Sequence, residues 1–341
     1  MNFDLSPESR DIRDLCRKVG AERLRPQAFD RRDDWSPREE NLRLLGSLGL
    51  LGICLPEAYG GGGRPELDAI VVIEELGYAC PITGELAPMI LTGPASFIAK
   101  FGTEYQKRTY IPPVCQGLER FAISLTEPEA GTALTDMKTS ARIEGDRCIV
   151  NGQKIFCSGG SHAHHVLVFV RFGPGTSNIG AVIVHRDTPG FTMSGPHQHL
   201  SGAPWNELYF EDAEISVQDV LFEGDAMRAL LATYSLERCG AAAYVLGVAR
   251  IAFDAAVAYS EDRRQFGRPI SDFQFIQGKL ADMYIAMESA RLLTYRAIAG
   301  ADNGLPSRID SSAAKVAATE AASMICNDAM QIHGGSGMSR E

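Results

Sequence analysis

The sequence lacks the features that would place it outside the cell, in a membrane or on a nucleic acid. None of its eight cysteines forms a C-x-x-C pair, which argues against a zinc knuckle. Cys16, Cys54, Cys80, Cys115, Cys148, Cys157, Cys239 and Cys326 sit mostly among apolar neighbours, the usual setting of reduced, buried thiols. No run of Lys and Arg is broken by aromatics, and 33 basic against 43 acidic residues leave a formal charge of -10. With a pI near 5.3 the chain repels phosphate backbones, so nucleic acid is not an expected partner. The opening MNFDLSPESRDIRD has neither the charged-then-apolar layout of a secretory leader nor the acid-poor composition of a transit peptide. No apolar run reads as long enough to span a bilayer, and the expectation is a cytoplasmic protein without a membrane partner.

At 341 residues, 45% apolar and 22% charged, the chain suits two or three domains with substantial cores. Its centre of organisation is residues 121–160, where apolar side chains change from the helical period to alternation. The apolar run 121–125 reads as a buried strand. It stops at a Pro-containing turn with a hydroxyl residue on each side, Thr126 and Thr132. A strand end freed by a turn can present N–H and hydroxyl donors to a flat polar ligand. The pattern returns at 150–160, a strand closing in Ser158, Gly159 and Gly160, and each turn alone is compatible with an ordinary hairpin.

Ahead of this centre, Ile12, Leu15, Cys16 and Val19 fall at helical spacing behind Ser6 and Pro7, a cap followed by a first-turn proline. Further helices are expected over 37–48 and 65–76, with two more between Ile82 and Gln116. The glycines at 60–63 lack the ending of a phosphate loop and read as a flexible connection. Behind the centre, 138–143, 146–156, 164–172, 179–186 and 205–210 read as strands of an antiparallel β domain. His162, His164, His165, His197 and His199 raise the question of a metal. No acidic or cysteine ligand is spaced with them, and no metal is expected.

Three long alanine-rich helical patterns follow at 225–259, 271–302 and 309–332, and small side chains let helix axes approach closely in a bundle. The fold class is therefore α+β. Residues 1–120 form a helical domain, 121–224 a β domain and 225–341 a helical bundle. Between the first two long helices lies the basic turn Arg263, Arg264, Gln265, Phe266, Gly267. Its arginines could cap a helix C-terminus or anchor a phosphate, and the residues alone leave both open. Gln331, Ile332, His333, Gly334, Gly335, Ser336, Gly337 ends the third helix with glycines that stop a helix or admit a ligand to the backbone.

The helical, β, helical order, together with LPEAYGGGG, LTEPEAGT, NGQKIFCSGG, RRQFG and QIHGGSG, resembles the acyl-CoA dehydrogenase family of flavoproteins over nearly the whole chain. That resemblance implies FAD as cofactor, an acyl-CoA thioester as substrate, a role in fatty acid metabolism, and electron-transferring flavoprotein as electron acceptor. It also implies a homodimer or homotetramer in which FAD reaches across a subunit boundary. Carried over, Ile123, Leu125, Thr126, Gly131 and Thr132 line the flavin, with Thr132 also near the CoA chain. Phe156, Cys157 and Ser158 complete the pocket, Phe156 covering the ring. Arg263, Gln265, Phe266, Gln274, Gln331, Gly334 and Gly335 of a neighbouring subunit meet the pyrophosphate and adenine side, which assigns the basic turn to phosphate. Two departures stand out: Ala133 where Asp is frequent, and Phe156 where Trp is frequent.

The family reaction is α,β-dehydrogenation: a carboxylate takes the α-proton while the β-hydrogen leaves as hydride to the flavin on the other face. Donors at the thioester oxygen, a flavin ribityl hydroxyl and a backbone N–H, stabilise the charge that develops there. Most members place the base in a closing segment that lies outside these 341 residues. The isovaleryl-CoA and long-chain types place it on the first long C-terminal helix, where Glu237 matches. Its apolar neighbours Tyr234, Leu236, Cys239 and Ala241 should raise its pKa. Ser235 and Arg238 are then expected at the substrate, Arg238 towards CoA, and Glu341 is a weaker candidate base. Within the fold, an enoyl-CoA reductase or a flavin oxidase is the alternative chemistry. A non-catalytic acyl-CoA-binding subunit of a heteromer is the alternative outside enzymology.

Overall fold

A computed structural model describes residues 4–28 and 39–339. Helix α1, Pro7–Val19, starts as its sequence predicts: the Ser6 hydroxyl accepts from the Ser9 N–H at 3.1 Å and Pro7 takes the first helical position. It runs through a π turn, Gly20–Leu24, into α2, Arg25–Ala28. Helix α3 covers Glu39–Ser47, and the predicted start at 37–38 lies outside the described residues. Helix α4, Glu66–Ala79, is buried along most of its length.

Where two helices were predicted before the β region, three stand: α5, Pro81–Leu91, α6, Pro94–Phe101, and α7, Glu104–Cys115. The extra break falls at Gly93, where a Cβ would sit 2.4 Å from the Met89 carbonyl oxygen. A capping box then opens α7, with Thr103 Oγ1 accepting from the Gln106 N–H and the Gln106 side chain accepting from the Thr103 N–H.

The sheet comprises β1 Phe121–Ser124, β2 Ser140–Glu144, β3 Arg147–Ser158, β4 His165–Arg171, β5 Ile179–His185, β6 Phe191–Met193, β7 His197–Gln198, β8 Pro204–Ser216 and β9 Val220–Phe222. Its order is β6-β8-β3-β2-β4-β5-β9, with β1 beside β4 and β7 beside β8. Pairing is antiparallel except for β1 with β4 and a single β2 to β4 contact. Strands β6, β7 and β9 were missed because two or three residues carry too little alternation to register. Val150, Val166, Val168, Val182, Leu208 and Phe210 are among the side chains of its core.

Helix α8, Ala226–Asp262, leads to a small hairpin of β10, Arg264–Gln265, and β11, Arg268–Pro269; α9, Gln274–Ala299, and α10, Arg308–His333, follow. One expectation fails here. With 37 residues and an 18-residue window of mean hydropathy 1.6, α8 is long and apolar enough to cross a bilayer by length and composition. Alanines raise the average although charges interrupt the run. On α8, Ala242, Leu246, Ala249 and Ala256 are buried in one cluster with Met283 and Met287 of α9 and Ala318 and Ile325 of α10.

By compactness the chain forms two units that cut across the sequence order. One gathers Met1–Asp30, Pro65–Pro88 and Ser235–Glu341, the other Arg31–Arg64 and Met89–Tyr234. Inside the first, the carboxylates of Glu74 and Glu75 on α4 are almost fully buried and are met by arginines from the bundle. Arg250 holds Glu75 through Nη1 at 3.1 Å and Nη2 at 2.6 Å, and Arg291 Nε holds Glu74 at 2.9 Å. Helices α4 and α8 approach so closely that a Cβ on Gly247 would lie 2.3 Å from the Glu74 carbonyl oxygen. Gly247→Ala should therefore destabilise by about 1–3 kcal/mol through overpacking. Gly278→Ala, where a Cβ meets nothing within 4 Å on α9, should be neutral or stabilise by up to about 1 kcal/mol. Urea unfolding of the two variants checks the contrast.

Candidate active site

In the β-containing unit the two sequence-predicted turns are brought together. The Ile155 N–H donates to the Thr126 carbonyl at 2.9 Å, so the loop after β1 and the end of β3 share a hydrogen bond. The β3 to β8 register shifts between Lys154 and Cys157, a bulge that leaves Phe156 at φ +55°. A left-handed conformation at a non-glycine residue costs about 1–2 kcal/mol, and here it turns an aromatic ring to the surface, 53% exposed. The Phe156 ring lies 4.6 Å from that of Trp205, and His197 stacks on Trp205 at 4.4 Å. The Ser158 hydroxyl is 3.5 Å from His199 Nε2.

The remaining predicted residues divide by exposure. Gly131, Thr132 and Ser158 are exposed, Thr126 and Ile123 half-buried, and Leu125 and Cys157 buried. Nothing lies within 4 Å of a Cβ built on Gly131. Burial pushes the Cys157 thiol up to about 12, the behaviour of a packing residue rather than a nucleophile. Trp205, His197 and His199 were not among the predicted site residues. The signal available was that Trp205 is one of two tryptophans in the chain, but the pairing of β7 with β8 that gathers these rings is not readable from spacing. Ring faces with the Ser158 hydroxyl nearby, on a strand end tied by hydrogen bond to the loop that carries Thr126, suit a flat ligand with polar edges, and a flavin fits that description. Among the described residues no three His, Cys, Asp or Glu side chains gather as metal ligands.

The other predicted residues belong to the helical unit and occupy two separate places on it. Glu237 sits on α8, half-buried beside Leu236 and Cys239, which are fully buried. Desolvation pushes its carboxyl up to about 7, with the neighbouring Arg238 pulling in the other direction. Among the described residues neither Glu237 nor Arg238 is held by a hydrogen bond or salt bridge. Ser235 is buried, at 1% exposure.

Arg263 lies just beyond the end of α8, about 39 Å along the helix from Glu237 at 1.5 Å per residue. Its side chain is exposed, and its backbone N–H donates to the Tyr259 carbonyl at 2.8 Å. Phe266 stands at φ +51°, 94% exposed, at the tip of the β10–β11 hairpin, with Gln265 exposed beside it. Gln274 opens α9 and is exposed, as are Gln331, Gly334 and Gly335 at the close of α10. Stacking of Tyr259 on His333 at 4.5 Å brings the ends of α8 and α10 together, so the arginine turn and the glycine-rich stop share one end of the bundle. Glu341 lies outside the described residues.

Three family models match in chain order: acyl-CoA dehydrogenase N-terminal domain over residues 6–118, middle domain over 122–213 and C-terminal domain over 224–341. The chain is 35% identical over 349 residues to the probable acyl-CoA dehydrogenase YngJ of Bacillus subtilis, covering 100% of this chain and 91% of that protein. Butyryl-CoA dehydrogenase from Megasphaera elsdenii superposes with a TM-score of 0.94 at 34% identity, covering 100% of this chain and 91% of that one. A chain in the structure of the electron transferring flavoprotein of Acidaminococcus fermentans does so with a TM-score of 0.96 at 35% identity, with the same coverages.

The ring cluster leads to a spectroscopic expectation. In a Trp35→Phe background, FAD should quench the emission of Trp205 as it binds. Trp205→Ala should weaken FAD binding by about 1–2 kcal/mol, the scale of one aromatic contact, and equilibrium titration measures both.

Proposed function

Because this chain belongs to the acyl-CoA dehydrogenase family, we propose that it carries out α,β-dehydrogenation of an acyl-CoA thioester with Glu237 as the base and electron-transferring flavoprotein as the electron acceptor. The protein is an oxidoreductase and its cofactor is FAD. When bound, the flavin supplies the acceptor for the β-hydrogen as hydride. Phe156 and Trp205 would support the ring, and Ser158 and Thr126 would donate to its polar edge.

One observation carries the assignment of the base. Glu237 is a half-buried carboxyl with no ion-pair partner among the described residues, raised by burial to about 7. A base works best when its pKa lies near the working pH, because it is then both deprotonated and able to hold the proton it takes. An exposed glutamate near 4.5 would be a far weaker acceptor. Arg238, one residue on and unpaired, suits the anionic part of CoA.

The similarity to butyryl-CoA dehydrogenase favours a short acyl chain, and the Acidaminococcus structure favours electron-transferring flavoprotein as partner. A homo-oligomer is supported by apolar side chains left exposed on the bundle, Phe275 and Ile285 on α9 and Ile309 and Val316 on α10. The roughly 39 Å of α8 between Glu237 and Arg263 supports the same reading, since two copies would let each end of the helix serve a different site.

Glu237→Gln should retain FAD and lose turnover by about 10²- to 10⁴-fold. Wild-type kcat/KM should rise with pH through about 7 as the carboxyl deprotonates, and the residual rate of the variant should lack that limb. The folded-state pKa is raised, so the folded chain binds the extra proton between the unfolded value and about 7. Stability therefore falls as pH rises through that window, and Glu237→Gln should abolish this part of the fall. Unchanged turnover on a panel of acyl-CoA thioesters would remove Glu237 from the mechanism.

A further inference from the structure

Within the β-containing unit, a lysine that the proposed chemistry does not use is among the largest fully buried side chains of the described residues. Lys154 has no exposed side-chain surface, and its ammonium donates to the Leu125 carbonyl at 2.9 Å and to Glu127 Oε1 at 2.8 Å. The thioether of Met137 is 3.8 Å away. Glu127 is itself 6% exposed, and its carboxylate also accepts the Lys138 N–H at 2.6 Å and the Thr139 N–H at 3.0 Å. Lys154 is the last residue of β3 before the bulge that turns Phe156 outward, and Leu125 and Glu127 flank Thr126. One ammonium thus joins the two segments that present the ring and hydroxyls of the candidate flavin surface.

We infer that the buried Lys154–Glu127 pair is a positioning device for the cofactor: it sets the loop at 125–132 against the bulge at 155–158, so that Thr126, Phe156 and Ser158 meet the flavin together. This rests on the flavin-site reading above. A buried ion pair is weak evidence of stabilisation, because apolar side chains of similar volume often serve stability as well. What an apolar replacement cannot do is hold the Leu125 carbonyl and the Glu127 carboxylate at fixed distances from β3. Among the described residues one backbone hydrogen bond, from the Ile155 N–H to the Thr126 carbonyl, joins the two segments directly, and the other backbone ties of the Glu127 carboxylate run to Lys138 and Thr139 rather than to β3.

The experiment compares the full-length protein with Lys154→Met/Glu127→Gln, where methionine keeps the volume and the single amide oxygen of glutamine can still accept from one of the two backbone N–H groups. Glu127→Gln alone is the milder variant should the double change fail to fold. Val182→Ala, a cavity in β5 within the same core, is the control for lost stability alone. FAD affinity, the visible dichroism of bound flavin and the thermal midpoint of the apoprotein are read for each. The expected result is an FAD dissociation constant raised at least about tenfold with altered dichroism in the pair variants, and near-wild-type values for Val182→Ala at a comparable midpoint. Pair variants whose affinity and dichroism match wild type, or follow the midpoint as Val182→Ala does, overturn the positioning role. Wild-type protein that takes up no FAD overturns the flavin-site reading itself.

Discussion

A charge taken out of water must be paired, or its group must become neutral, and this chain uses both solutions at different places. Glu74 and Glu75 on α4 and Glu127 in the β unit are paired. The carboxylates of α4 receive Arg250 and Arg291, and Glu127 receives Lys154 and two backbone N–H groups. Desolvation raises Glu127, but the Lys154 charge and those N–H groups outweigh it and hold it below the ordinary carboxylate range. Burial lowers Lys154, and the Glu127 charge beside it pulls the other way. Glu237 receives nothing comparable, and the same desolvation carries it upward to about 7. Paired acids become struts. The unpaired one is the group proposed as proton acceptor, and lacking a partner is what sets it apart from the others.

The second recurrent device is local backbone cost. Phe156 and Phe266 both adopt left-handed conformations that an L-residue enters only at a penalty, and both rings are exposed. Burying a phenylalanine would be the favourable outcome by about 1.5–3 kcal/mol, so each ring is held away from its preferred environment by the surrounding frame. At Phe156 the frame is visible: the bulge in β3, the Ile155 to Thr126 hydrogen bond and the anchored Lys154 leave little alternative path. At Phe266 the frame is the hairpin, where the Ile270 N–H donates to the Arg263 carbonyl at 2.8 Å. Both positions are ones the motifs had marked for cofactor contact.

Much of this was legible because periodicity and caps act locally. The Ser6 cap, the change of period at Phe121 and the three alanine-rich helices depend on near neighbours in the chain, and the elements stand close to where the pattern put them. The break at Gly93 was missed because what marks it, the Met89 carbonyl standing where a side chain would be, is a matter of space rather than of composition. Strands β6 and β7 were missed because their partner, β8, holds them in place, and with them went the ring stack on Trp205. Glu237 was singled out by the family resemblance, and its apolar neighbours foretold the raised carboxyl. Lys154 was not, since a lysine between Gln153 and Ile155 in an alternating strand reads as solvent-facing until the loop that covers it is known.

The length of α8 ties these threads together. A 37-residue helix far exceeds the usual three or four turns, and intrinsic propensity alone does not decide how so long a helix packs. Small residues let its flanks approach other helices closely, as the clearance at Gly247 shows, and that closeness makes it a rigid rod. A rod of this kind fixes the separation of whatever its two ends carry: a carboxyl near 7 towards one end, and past the other an exposed arginine and the hairpin with its exposed phenylalanine. Two functions so far apart cannot converge on one small molecule within a single copy. If both act on the same cofactor and substrate, a second copy has to supply one of them, and the exposed Phe275, Ile285, Ile309 and Val316 are the apolar surface such a copy would cover.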